Sequence, residues 1–204
     1  QAYAFDGRED FMNLGNNIEL GASDFTISCW FMAPEGASNG PGDELNNQIT
    51  YLLSKGLGVK STPSGAGYGI RLITNKVGSQ VQLVLGDQKG NRTILGTQIN
   101  TGKLWYHVAL QREGSALRLY INGVLEETGV VDVEVDVTTD DPLLMGMIQF
   151  PAESPFQEAF YYGALDEVRF YPCVMSKLAI IEQAREEDQD NECDRSDLNL
   201  SVAS

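Results

Sequence analysis

The sequence predicts an all-β domain carrying one short helix near its C-terminal end. Three observations carry that expectation. Short apolar runs recur along the chain, separated by Gly, Asn, Asp, Ser and Pro, which is the pattern of strands joined by turns. Gly is abundant at 21 residues, as many tight turns require. The 204-residue length fits one sandwich or barrel, because such folds run to about 200–250 residues without splitting.

The elements follow in order. Tyr3-Ala4-Phe5 reads as the first strand. Residues 25–32 form a nearly continuous apolar run, expected of a central strand covered on both faces. A Gly-rich polar loop, 34–47, is long enough to be either functional or mobile. Strands follow at 51–54, 68–73, 81–85 and 92–95, the third with Val81, Leu83 and Leu85 alternating. Residues 104–110 and 117–121 make a hairpin. Asn122-Gly123 is a strong turn signal, since both residues tolerate positive φ, and it leads into Val124-Leu125. Residues 143–147 and 163–170 complete the strands. From Met175 to about Asp188 there is no Gly or Pro, Ser176 is placed to cap, and Leu178, Ile181 and Ala184 fall at helical spacing. The division expected is a folded domain over 1–185 and a polar acidic tail or linker over 186–204.

Charge narrows the partners. There are 29 Asp+Glu against 14 Lys+Arg, for a formal net charge of -15. Nucleic-acid binding, which needs clustered Lys and Arg, is excluded, and an anionic membrane surface would repel the chain. No apolar run is long enough for a transmembrane helix, so membrane insertion is not expected. The first residues read as strand rather than signal peptide. A chain opening on Gln suggests secretory processing or excision from a larger protein, and the two stay open. So much acid serves solubility, or divalent-cation binding by some of the carboxylates.

None of the three cysteines stands in a Cys-x-x-Cys arrangement. Cys29, inside an apolar strand, is expected to be a buried free thiol. Cys173 and Cys193 flank the helix, and a disulfide between them would tie down the tail. Asn91 and Asn199 head Asn-x-Ser/Thr acceptors, which matter in a glycosylating secretory pathway.

Five blocks in order resemble the laminin G-like jelly roll of the concanavalin A-like lectin/glucanase superfamily. They are Ala4-Phe5-Asp6-Gly7 with Asp10-Phe11; Asp24-Phe25-Thr26-Ile27-Ser28-Cys29-Trp30; Leu53-Ser54-Lys55-Gly56 with Gly67-Tyr68-Gly69-Ile70; Trp105-Tyr106-His107-Val108-Ala109-Leu110 with Leu117-Arg118-Leu119-Tyr120-Ile121-Asn122-Gly123; and Gly163-Ala164-Leu165-Asp166-Glu167-Val168-Arg169-Phe170-Tyr171. The resemblance spans about residues 2–182. It departs at Pro172-Cys173, where relatives usually carry Asn or Asp and a basic residue, and in the helix, which lacks the usual Glu-Ile pair. The resemblance implies a two-sheet antiparallel jelly-roll sandwich. It implies fold more firmly than function, because this fold hosts lectins, adhesive modules and glucanases.

It also implies candidate sites. First and last long strands side by side would let Asp6 and Asp166 meet, with Asp10 and carbonyls near Gly7-Arg8 completing a structural Ca²⁺ shell. The alternative is an Asx-turn at Asp6 and bonds from Asp166 to Arg169 or backbone. For a glycan ligand, Tyr51, Tyr68, Phe160, Tyr161 and Tyr162 are candidate contacts, along with Phe156 and the 34–47 loop; core packing is the alternative for each aromatic. Glu134-Val135-Asp136-Val137 resembles the start of the catalytic strand of the β-glucanases, but Thr138-Thr139 stand where the second Glu belongs. Asp132, Glu134 and Asp136 read more simply as a solvated strand edge. His107, the only histidine, has no nucleophile signalled nearby, and Gly65-Ala66-Gly67 lacks the ending of a phosphate loop. The expected function is a non-catalytic extracellular recognition or adhesion module, secreted or cell-surface, binding a glycan or an extracellular protein and holding structural calcium. The other class is a building block of a larger surface or filament assembly.

Overall fold

The computed structural model describes residues 2–33, 48–57, 65–75, 78–100, 104–149 and 158–185. The loop 34–47, Phe156, the tail 186–204 with its Cys193 and Asn199, and the short remaining gaps lie outside the described residues. The strands are β1 (Tyr3–Asp6), β2 (Met12–Asn13), β3 (Phe25–Ala33), β4 (Gln48–Gly56), β5 (Gly67–Asn75), β6 (Gly78–Gly86), β7 (Arg92–Ile99), β8 (Leu104–Glu113), β9 (Ala116–Ile121), β10 (Val124–Val130), β11 (Leu143–Met145), β12 (Met147–Gln149), β13 (Glu158–Phe160) and β14 (Tyr162–Tyr171); the helix is α1 (Lys177–Gln183).

They form two six-stranded antiparallel sheets, ordered β1-β14-β3-β8-β9-β10 and β2-β11-β4-β5-β6-β7, with a β12-β13 ribbon beside them. The last long strand thus lies between the first and the third, which is the jelly-roll arrangement. Strand periodicity explains the core. Phe25, Ile27, Cys29 and Phe31 of β3 point inward and meet Ile70, Leu72, Val81 and Leu83 of the facing sheet. The intervening Thr26 and Ser28 point outward but are buried, because the C-terminal segment and helix lie over them. Thr26 Oγ1 donates to the Cys173 carbonyl, and Ser28 Oγ donates to Gln183 Oε1. The 25–32 run is therefore covered on both faces.

Asn122 and Gly123 both adopt positive φ, at 49° and 78°, and close the β9–β10 hairpin. Cys29 is a fully buried thiol, and loss of solvation pushes its pKa up to about 12.

Two expectations need correction. The segment 131–142 is irregular, so Asp132, Glu134 and Asp136 do not form a strand edge. Its carbonyls turn inward to the buried Arg112 of β8: Nη1 donates to Val135 O at 2.6 Å and Nη2 to Val133 O at 3.1 Å. A guanidinium collects carbonyls that a ladder would otherwise use. The helix begins as expected, with Ser176 Oγ accepting the Ala179 N–H, but α1 ends at Gln183. Leu178 is exposed, and Ile180 is the residue packed with Ala109, Tyr120 and Met175. The cap and the bonds at Gln183 set the rotation of the helix.

Candidate functional site

The outer face of the second sheet carries a polar ladder. In register, Tyr51 (β4), Arg71 (β5), Gln82 (β6) and Gly96 (β7) form one cross-strand row. Beside it run Ile49, Ile73, Gln80 and Gln98, and beyond it Ser54, Gly69, Val84 and Ile94. Arg71 Nε donates to Gln82 Oε1 at 2.8 Å, Arg71 Nη1 reaches Tyr51 Oη at 3.4 Å, and Gln82 Nε2 donates to Gln80 Oε1 at 2.5 Å. The ladder is thus polarised in one direction, from a cation through two amides. Gly96 makes room for it: a Cβ there would come within 2.7 Å of Gln82 Cγ.

One end of this face is closed. Tyr51, Leu57, Val84 and Ile148 form a small apolar cluster outside the main core. The other end is open, with Ile94 exposed at 48%. There Gln80, Gln82, Ile94 and Gly96 border a groove of about 450 Å³ that continues to Glu127 and Val130 of β10. A face with fixed donors and acceptors between apolar patches can hold a polyhydroxylated or otherwise polar ligand. The alternation Gln80-Val81-Gln82-Leu83 was the signal available in the sequence: residues between core positions must face outward.

The aromatic candidates fall elsewhere. Tyr68 is fully buried in the core and its hydroxyl donates to the Ile18 carbonyl; Tyr161 is 1% exposed and donates to Met32 O. Burial pushes both phenols well above their ordinary pKa. Tyr162 is half-buried and packs on the core. Phe160 is half-buried, its ring 6.4 Å from that of the exposed Phe11. Tyr51 lies on the outer face, but at 2% exposure it offers the ladder a hydroxyl rather than a stacking surface. Inward periodicity accounts for Tyr68, and hydroxyl partners on the backbone allow both tyrosines to be buried whole.

The calcium pair is not brought together. Antiparallel register sets Tyr162 opposite Asp6, and sets Asp166 opposite Trp30 of β3. Asp166 lies four positions along β14 from Tyr162, roughly 13 Å at the strand rise. Asp6 and Asp10 do meet, in a self-capped turn. Asp6 Oδ1 accepts the N–H groups of Arg8, Glu9 and Asp10 at 2.8, 3.0 and 3.2 Å, and Asp10 Oδ2 accepts the Asp6 N–H. Those N–H groups hold the Asp6 carboxyl below the usual range. Asp166 Oδ1 accepts the Glu167 N–H. Among the described residues, no group of three or more His, Cys, Asp or Glu is poised to hold a metal. The clamp between Asp6 and Asp166 therefore does not fit this register.

Two buried polar groups serve the scaffold. Lys55, fully buried, donates to Asn16 Oδ1 and the Asp141 carbonyl and pairs with Glu19 at 2.8 Å. It ties β4 to two loops. His107 lies under the outer face of the first sheet with its ring 5.4 Å from that of Trp30. Burial, with Arg169 nearby, lowers its pKa to about 4, so it is neutral at pH 7. Asn91 is exposed, and its amide donates to Asp87 Oδ2.

Comparison with known proteins places this geometry. Residues 6–181 match the laminin G-like family profile described as the concanavalin A-like lectin/glucanases superfamily. Similar solved structures include a botulinum neurotoxin serotype D binding domain (15% identity, TM-score 0.61, covering 90% of this chain and 42% of that one). The receptor binding domain of botulinum neurotoxin D gives 15% identity and a TM-score of 0.62, over 90% of this chain and 43% of that one. A W1252A mutant of HCR D/C VPI 5995 gives 13% identity and a TM-score of 0.67, over 92% and 44%. This chain spans less than half the length of each, and at such identities the likeness is one of fold. No curated protein sequence matches the chain. The profile match covers most of the sequence, and the chain belongs to the laminin G-like branch of the concanavalin A-like lectin/glucanase superfamily.

Proposed function

We propose that this domain is a non-catalytic extracellular recognition module that binds carbohydrate on the outer face of its second sheet. The observation that carries the reading is the Arg71–Gln82–Gln80 ladder, held in place by side-chain hydrogen bonds and flanked by Ile73 and Ile94. Preset donors and acceptors on rigid strands lower the ordering cost of binding. The matched solved structures are themselves titled binding and receptor-binding domains, which agrees with a binding role. Glu134 and Asp136 lie in the Arg112-pinned loop, away from the ladder strands, so hydrolysis has no support there. The test is a glycan array run with calcium and again with chelator, on the native domain and a Gln80→Ala/Gln82→Ala variant. Retention of a defined glycan class by the native domain and its loss in the variant is expected. Silence across the array in both conditions ends the reading. Calcium dependence is read from the same pair of runs.

An extracellular setting goes with this proposal. It includes a Cys173–Cys193 disulfide, checked by peptide mapping with and without reductant, and glycans on Asn91 and Asn199, checked by mass before and after glycosidase.

A second reading, a building block for assembly, is favoured by the edge strands. β10 and β7 end their sheets, and Val124, Leu125 and Val130 on β10 are exposed. Sedimentation showing only monomer at high concentration would count against it.

A further inference from the structure

Among the described residues, Arg71 has no carboxylate partner. In a chain of net charge -15, the buried Lys55 has Glu19, Arg118 has Glu113 and Arg169 has Glu167. Among the described residues no carboxylate lies within ion-pair distance of Arg71. Its row neighbours are neutral: Tyr51 and Gln82 on either side, Gly96 beyond. Tyr51 and Gln82 engage Nη1 and Nε, and both are oriented to fix the guanidinium plane rather than to neutralise it. The remaining guanidinium donors have no partner among the described residues. The amide of Gln80 is turned by Gln82 so that its oxygen is used and its NH₂ is left to donate. A fixed, half-buried guanidinium beside a donating amide is complementary to a group that only accepts: an oxyanion.

We infer that the ladder reads an acidic saccharide, with Arg71 donating to a carboxylate or sulfate oxygen and Gln80 donating beside it. Hydroxyls of the same sugar are left to the groove running toward β10. The inference rests on the carbohydrate reading above and deepens it. Sialic or uronic carboxylates and sulfate esters offer the same oxyanion chemistry, so the experiment separates them.

Three immobilised sets are used: carboxylated glycans, sulfated glycans, and neutral glycans of the same backbones. The native domain, Arg71→Gln and Arg71→Lys are compared on each, at low and high salt. The native domain is expected to retain one acidic set over its neutral counterpart. Arg71→Gln is expected to weaken that retention roughly ten- to hundredfold, the scale of one charge-assisted hydrogen bond, and to abolish its salt dependence. Arg71→Lys restores part of the retention, and this rescue separates charge recognition from a folding defect. Acidic retention undiminished in Arg71→Gln overturns the inference. Neutral glycans bound as well as acidic ones overturn it while leaving the carbohydrate reading intact. No retention on any set overturns both.

Discussion

His107 shows how a single residue couples the fold to pH. Its pKa is about 6.5 unfolded and about 4 folded, so the unfolded chain binds the extra proton between those values. The sign follows: its contribution is fully present above pH 6.5 and is lost as pH falls toward 4. The whole effect is about 3 kcal/mol. Urea midpoints at pH 7.5 and 4.5 should therefore differ more in the native domain than in His107→Gln. An equal difference would remove His107 from the account. Lys55 makes the opposite case, a buried charge with every proton placed. Lys55→Met keeps the volume but strands the buried Asp141 carbonyl, while Asn16 and Glu19, both exposed, can return to water. A loss of about 1–3 kcal/mol is expected, read as a lower urea midpoint at unchanged m-value.

At the scale of elements, the loop 131–142 and the β1 strand each have a contact that one substitution can test. Arg112→Met removes the donors that hold Val133 and Val135. Hydrogen exchange in residues 131–137 should then accelerate while exchange in the hairpin β8–β9 stays slow; a uniform change would mean global destabilisation instead. Gly146, between β11 and β12, has φ of +81°, and a Cβ there would lie 2.4 Å from the Phe5 ring. Gly146→Ala is expected to cost about 2 kcal/mol or more and to loosen β1, whose buried anchor is Phe5. Calorimetry measures the first effect and exchange at Tyr3–Asp6 the second. The helix is the element whose existence and start were readable from Ser176 and the absence of breakers. Its rotation was not, because Leu178 and Ile180 project onto nearly opposite faces of a helix, either face could be the buried one, and only packing against Ala109 and Tyr120 decides between them.

Across the whole molecule, the two ends of the described chain are joined by strand pairing. β1 lies against β14 over Tyr3–Asp6, and β14 against β3. Because this pairing does what an ion clamp would do, chelator is expected to leave the melting temperature within about 1 °C of its value with calcium, a shift smaller than about 0.5 kcal/mol. A fall of several degrees would reveal a metal that the Asp6–Asp166 register does not provide for. The sandwich also decides which surfaces are available. One outer face is largely closed by α1 and the segment before it, and the other keeps the Arg71 ladder open.

Alternation and turn chemistry in the sequence alone determined the strands, the Asn122-Gly123 hairpin, the buried Cys29 thiol and, through ordered blocks, the jelly roll. These are local signals, written within a few residues of where they act. Tertiary structure alone decided that Tyr161 is core, that Asp6 and Asp166 stay apart, and that Arg71, Gln80 and Gln82 meet on one face. Register between distant strands sets such meetings, and a shift of a few residues would change them all. The strand period could place Gln80 and Gln82 outside the core, but not show that Arg71 bonds to Gln82 across the strands.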